Sequence, residues 1–170
     1  FTFTGAGGDT RVGAVVGQML NGSLVENCFA VHGNINTKVN TENGVAGGIA
    51  GCNYAATIRN CFVSDLTISA GRDGGIVGDN RADGGATDRQ GTIENCYTSY
   101  GSLHHSTMAG SGATGETGIT ADRFASGEVA YKLNGDALFD TWATTPWSRD
   151  TSTESPANAG YPSFGRLYDE

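Results

Sequence analysis

The side chains able to do chemistry are few, and they recur instead of clustering. Asn27-Cys28, Asn60-Cys61 and Asn95-Cys96 set an amide beside a thiol three times, with the thiols 33 and 35 residues apart. Each pair is followed by an aromatic (Phe29, Phe62, Tyr97) and preceded by a charge (Glu26, Arg59, Glu94). No CxxC occurs, which removes the zinc-ribbon and thioredoxin patterns, and Cys52 stands apart from the other three. Thiols buried in a stack as small hydrophobes are the simpler expectation. Disulfides stay open for an oxidising compartment. His32, His104 and His105 have no acidic or cysteine partner at ligand spacing and read as surface residues. There is no Ser/His/Asp order, HExxH, phosphate loop or dinucleotide fingerprint. The expectation is therefore no catalytic residue, no metal, no cofactor and no enzyme activity.

Carboxylates offer two further readings. Asp79 and Asp83 stand before Gly84 as in a calcium loop, but Arg81 occupies the place of a third ligand and Gln90 that of the bidentate glutamate. A solvated loop is the better expectation there. Glu26 and Glu94 would lie roughly 9–10 Å apart if the repeats stack, a glycosidase-like separation. Arg59 falls between them, so an exposed charge ladder is the plainer reading.

These residues need a scaffold, and the scaffold is a repeat. Val12–Gly17, Ala46–Gly51 and Gly74–Gly78 are glycine-bounded apolar runs, each followed by a loop and then by the Asn-Cys-aromatic segment. Periods of 27 to 35 residues indicate a solenoid, propeller or array. The apolar pieces are short and β-branched with no helical period, and the unit is too short for a four-stranded propeller blade. The fold class expected is all-β: a parallel β-helix of about three rungs, right-handed by general precedent. The repeats cover residues 1–103, as a remnant at 1–11 and units at about 12–45, 46–72 and 73–103. The column of asparagines should stack at a corner, where Asn tolerates the left-handed conformation. If that corner resets the side-chain alternation, the cysteines face inward and Phe29, Phe62 and Tyr97 form an outward stripe, with Phe1 as a fourth member. Such a stripe could stack on a sugar. The loop after the glycine run has seven residues in the first unit (Gln18–Leu24), six in the second (Cys52–Thr57) and fourteen in the third (Asp79–Thr92). Phe1–Gly5 resembles the tail of a unit, aligned with Gly5 on Gly33, so the chain is expected to be cut from a longer array.

Gly48-Ile49-Ala50-Gly51 and Gly75-Ile76-Val77-Gly78, each followed by Ile-x-Asn-Cys-(Phe/Tyr), resemble the GLUG-motif repeats of bacterial secreted and surface proteins. The first unit departs with Ala14 at the second glycine, so a different turn is expected there. The resemblance implies a β-solenoid in an adhesin-like protein, extracellular or at the cell surface, and brings no catalytic residue with it. Phe124–Asn134 resembles a segment that follows such repeats. Ser126 is a candidate N-cap, Val129, Ala130 and Leu133 share a face, and Gly135 suits the C-terminal stop, giving a short helix at about 127–134. Residues 104–170 are expected to be a long loop to Thr120, then a cap on the last rung, with Phe139, Trp142, Trp147, Tyr161 and Phe164 supplying its aromatics.

The net charge of −8 speaks against nucleic acid, and no apolar run approaches the length of a membrane span. The function expected is a non-enzymatic adhesin-like module that meets a carbohydrate or a surface protein. Phe29, Phe62, Tyr97, Asp79 and Asp83 are its candidate binding residues. A rigid spacer, and less so a polysaccharide-cleaving enzyme, are the rival readings, the last by fold analogy only.

Overall fold

Each repeat is cut into short strands, and every strand pairs with its counterpart in the next repeat, not with its neighbour in sequence. A computed structural model describes residues 1–5, 7, 9–38, 43–81, 91–105, 113–140, 144–149 and 161–164. A leading strand β1 (Thr2–Thr4) precedes the first repeat, which comprises β2 (Thr10–Gly13), β3 (Val16–Met19), β4 (Leu24–Glu26) and β5 (Phe29–Asn36). The second repeats this order as β6 (Gly44–Gly47), β7 (Ala50–Tyr54), β8 (Thr57–Arg59) and β9 (Phe62–Ser69). The third has β10 (Arg72–Gly74), β11 (Val77–Arg81) and β12 (Thr92–Thr98), the last running through the corner that separates β8 from β9. The sheets are β2-β6-β10, β3-β7-β11, and a larger one that β12 joins from the β4-β8 and β1-β5-β9 series. All of these pairings are parallel. The expected parallel all-β fold is therefore present. The strand sets begin at Thr10, Gly44 and Arg72, so each repeat starts slightly earlier than the glycine run suggests.

Two backbone features produce the sharp turns. Asn27, Asn60 and Asn95 take φ of +53°, +54° and +50°, the left-handed corner expected for them. At the glycine pairs the constraint is close approach. A Cβ on Gly48 would lie 2.2 Å from the Gly75 carbonyl oxygen, and one on Gly47 2.2 Å from that of Ala50. Ala14, at the position equivalent to Gly48, keeps the inter-rung hydrogen bond but at a longer distance. Its N–H bonds to the Gly48 oxygen at 3.3 Å, against 3.0 Å for the bond from Gly48 to Gly75.

The core lies inside this arrangement, with Ile49, Ile58, Cys61, Val63, Ile76, Val77, Ile93 and Cys96 all buried. Stacking buries the middle repeat most: β6 is buried throughout, whereas β2 is half-buried throughout.

Three local expectations need correction. Residues 104–120 are not one long loop. Ser102 and Leu103 accept backbone bonds from Gly75, Ile76 and Val77, and β13 (Ala113–Glu116) pairs with β12, so part of a fourth repeat is formed. Gly5 does not align with Gly33. The β1–β5 register is Thr2↔Asn34, and the Phe1 ring occupies the space that a Gly33 side chain would fill. Phe1 accordingly meets Phe3, with ring centroids 5.2 Å apart, and is not a fourth member of the Phe29 column.

The chain divides into two compact bodies, Phe1–Gly118 and Ile119–Glu170. The second contains α1 (Ala121–Ala125), α2 (Glu128–Leu133) and an antiparallel pair, β14 (Trp147–Arg149) with β15 (Pro162–Phe164). Val129, Ala130 and Leu133 are its buried helical face, as expected, and Gly135 stops the helix with φ +71°. The N-cap of α2 is Gly127, not Ser126, because the short helix α1 ends immediately before it. Ser126 Oγ accepts from the Glu128 N–H at 3.2 Å and donates to the Arg123 oxygen at 2.9 Å, linking the two helices. Asn134 closes α2 and uses its amide as a piece of strand. Its Oδ1 accepts from the Trp147 N–H at 3.0 Å and its Nδ2 donates to the Trp147 oxygen at 2.8 Å.

Candidate functional site

The Asn-Cys-aromatic segment resolves into three jobs at one corner. The left-handed asparagine turns the carbonyl of the preceding residue toward the thiol that follows it. Cys28, Cys61 and Cys96 donate to the oxygens of Glu26, Arg59 and Glu94 at 3.3, 3.2 and 3.3 Å. All four cysteines are free thiols, and this column packs in the core as expected. Hydrogen bonding with Cys61 and burial push the Cys28 thiol strongly up, so it is not a reactive thiolate. Asn95 Nδ2 donates to Asn60 Oδ1 at 2.9 Å, a side-chain rung between successive corners. Asn27 Oδ1 is buried without a partner.

The aromatic column is aligned as the spacing suggested, Phe29↔Phe62↔Tyr97. It is not the exposed stripe that a binding role requires. Phe62 is 0% exposed and Tyr97 8%, and only Phe29 remains open at 41%. The rings cover one another: Phe29 stacks on Phe62 with centroids 5.2 Å apart and planes 5° from parallel. Tyr97 then spends its hydroxyl on Asn95 Oδ1, at 2.6 Å. Strand spacing of about 4.8 Å leaves no gap between such rings for a ligand.

A second constellation, absent from the sequence reading, lies on the β2-β6-β10 and β3-β7-β11 sheets. Arg11, Val45 and Arg72 share one register column. Tyr54 and Arg81 share another, next to the Cys52–Asp79 column. Arg11, Arg72, Arg81, Asp9, Asn43 and Tyr54 line an open pocket of about 340 Å³ floored by Val45. Asp79 is 3% exposed and gives one oxygen, Oδ2, to both Arg72 Nη1 at 2.7 Å and the Arg81 guanidinium. Burial pushes its carboxyl above the usual range, against the pull of Arg72. Arg11 meets the exposed Asp9 at 3.2 Å and shares a hydrogen bond with the Tyr54 side chain, while its Nε is buried without a partner. Burial raises the Tyr54 phenol, which keeps it a neutral hydroxyl.

The glycine run with its close backbone approach, followed by the Asn-Cys-aromatic corner, is what known families have to be compared with. Residues 42–69, the second repeat, match the family model of the GLUG motif. The chain carries a GLUG motif. No curated protein and no solved structure matches the chain.

Around the GLUG motif the remaining candidate residues separate. Asp79 is not in a solvated loop, because β11 extends to Arg81 in register with β7 and carries its carboxylate into the arginine cluster. Asp83 lies outside the described residues, so the calcium-loop spacing has one described carboxylate, already engaged by arginines. The Glu26–Arg59–Glu94 ladder is in register, and Arg59 bonds Glu26 Oε2 at 2.7 and 2.6 Å with both side chains exposed. Among the described residues no three His, Cys, Asp or Glu side chains are grouped to hold a metal ion. No helix among them is long and apolar enough to cross a membrane. The second body has a mostly apolar pocket of about 350 Å³ beside Ala130, Tyr131, Leu138 and Trp147.

Two signals in the sequence could have found the arginine pocket. Arg11 and Arg72 each fall two residues before the first glycine of their run (Gly13, Gly74), and Arg81 falls three after Gly78. The resulting alignment predicts a column, but it does not predict that Asp79 is buried between two arginines.

Proposed function

We propose that the chain is a non-enzymatic, adhesin-like binding module of a bacterial cell-surface or secreted protein. Its GLUG repeats wind as a parallel β-solenoid of about three rungs, with the arginine-lined pocket as the place of contact. The observation that carries this reading is the pocket itself: three guanidiniums from three different strands face one open volume of about 340 Å³. That is the lower part of the size range of small-molecule sites, ~300–1,000 Å³. Repeated strand pairing supports the solenoid, because β6 is fully buried only by having neighbours on both sides. A scaffold of this kind supplies fixed side chains at fixed spacing, which suits recognition of a repeating polymer.

A rigid spacer is the second reading, and one observation favours it. Phe62 and Tyr97 are buried, so the aromatic column contributes packing and offers little surface. A glycan array carrying neutral and acidic glycans, probed with the full 170-residue chain, separates the two. The binding reading expects retained glycans and loss of retention in folded Arg11→Gln and Arg81→Gln variants. An array with no retained glycan supports the spacer.

A further inference from the structure

We infer that the Arg11–Arg72–Arg81 pocket is a subsite for the carboxylate of an acidic sugar, a uronate unit of an anionic polysaccharide. This inference rests on the binding reading above and names its ligand class. Charge sets the first condition. The chain as a whole is at −8, yet among the described residues three guanidiniums line the pocket beside two carboxylates, Asp9 and Asp79, a formal excess of one positive charge. An excess of one suits a singly charged ligand better than a dianionic phosphate.

Geometry sets the second. A guanidinium is a planar fork of five N–H donors that matches a carboxylate. Asp79 shows what the pocket holds well, since its Oδ2 is already taken by Arg72 and Arg81. Arg11 stands two strand spacings from Arg72, roughly 10 Å, across Val45. Its paired carboxylate, Asp9, is largely exposed, so that ion pair is open to solvent. A ligand carboxylate placed between Arg11 and Arg81, which both line the pocket, meets guanidinium donors beyond those that Asp9 and Asp79 engage among the described residues. The third condition comes from the neutral and acidic lining. Asp9, Asn43 and the Tyr54 hydroxyl can accept from or donate to several hydroxyl groups set around a ring, which a sugar acid has and an acidic side chain lacks.

Calorimetric titration of the full chain tests this with defined probes: galacturonate and its trimer, galactose, inorganic phosphate, and a glutamate-rich peptide. Galacturonate should bind, the trimer more tightly, and galactose not measurably. Arg11→Gln and Arg81→Gln should each weaken galacturonate about tenfold or more, as loss of a charged hydrogen bond implies. Arg11→Lys, which keeps charge but loses the fork, should recover only part. Arg59→Gln, outside the pocket, should leave the affinity unchanged. A denaturation midpoint for each variant identifies any that fails to fold. No galacturonate binding, equal binding of phosphate or of the peptide, or full affinity in folded Arg11→Gln and Arg81→Gln variants would overturn the assignment. Retention of neutral glycans on the array with no galacturonate binding would sink this inference while leaving the binding reading intact.

Discussion

At the scale of single residues, the corner asparagine and the buried aspartate each serve in more than one way. Asn60 adopts φ +54° and also accepts from Asn95. Asn60→Ala should therefore cost about 1–3 kcal/mol, from the left-handed backbone and the lost bond together. Asn60→Gly relieves the backbone and should cost less than the alanine variant. Urea midpoints of the two would show it, and equal losses would remove the backbone contribution. Phe62→Ala should cost about 3–5 kcal/mol as a large-to-small change in a buried stack. Asp79 gives a pH signature. Burial raises its carboxyl in the folded state, with Arg72, Arg81, Arg11 and His105 around it pulling the other way. A folded pKa above the unfolded one means that the native state binds the extra proton. The Asp79 contribution is thus fully present below the ordinary aspartate range and is lost as pH rises through the folded pKa. Asp79→Asn should flatten that part of the stability–pH curve. An unchanged slope in the variant would show that the ion pairs with Arg72 and Arg81 balance desolvation, and a change of opposite sign would show that they outweigh it.

At the scale of elements, the glycine run and the corner are where sequence and structure meet most directly. A Gly48→Ala side chain meets the Gly75 carbonyl, so about 1–3 kcal/mol of destabilisation is expected. Gly101→Ala has open space around its added methyl and should stay within about 0.5 kcal/mol of the parent. Similar losses at both would mean that glycine acts here through chain entropy instead of close approach. The corner could be read from the sequence because one residue type does one job there: Asn for φ, Cys for a small inward thiol, an aromatic for the other face. Spacing predicted the alignment of Phe29 with Phe62 but not the burial of Phe62, since Phe29 stacks on it and periodicity does not report that. The arginine pocket was harder to see for a related reason. Taking the glycine run as the start of each repeat places Arg11, Val45 and Arg72 at the seams between units, where a column of unlike residues does not look like a column. Asp79 likewise reads as loop in the sequence because its strand is continued by pairing with β7, not by hydrophobic pattern. In the second body the Val129, Ala130 and Leu133 face was legible, whereas the clasp of Asn134 on Trp147 joins residues too far apart in sequence for local reading.

At the scale of the whole molecule, a −8 chain approaching an acidic polymer meets long-range repulsion and a short-range cationic pocket. Raising salt from about 10 mM to about 150 mM shortens the screening length from roughly 30 to 8 Å. That weakens the repulsion more than contacts inside the pocket, so trigalacturonate association should quicken over this range. A steep fall instead would point to binding through scattered surface cations. If ligand binding belongs to the arginine pocket and the aromatic column is structural, the two sets of residues respond differently to ligand. Titrating the isotope-labelled chain with galacturonate while recording backbone amide and arginine Nε–H resonances tests this most directly. Shifts should concentrate at Arg11, Val45, Tyr54, Arg72 and Arg81, with Phe29, Phe62 and Tyr97 unmoved. Shifts concentrated on the aromatic column, or none at saturating ligand, would contradict binding in the pocket.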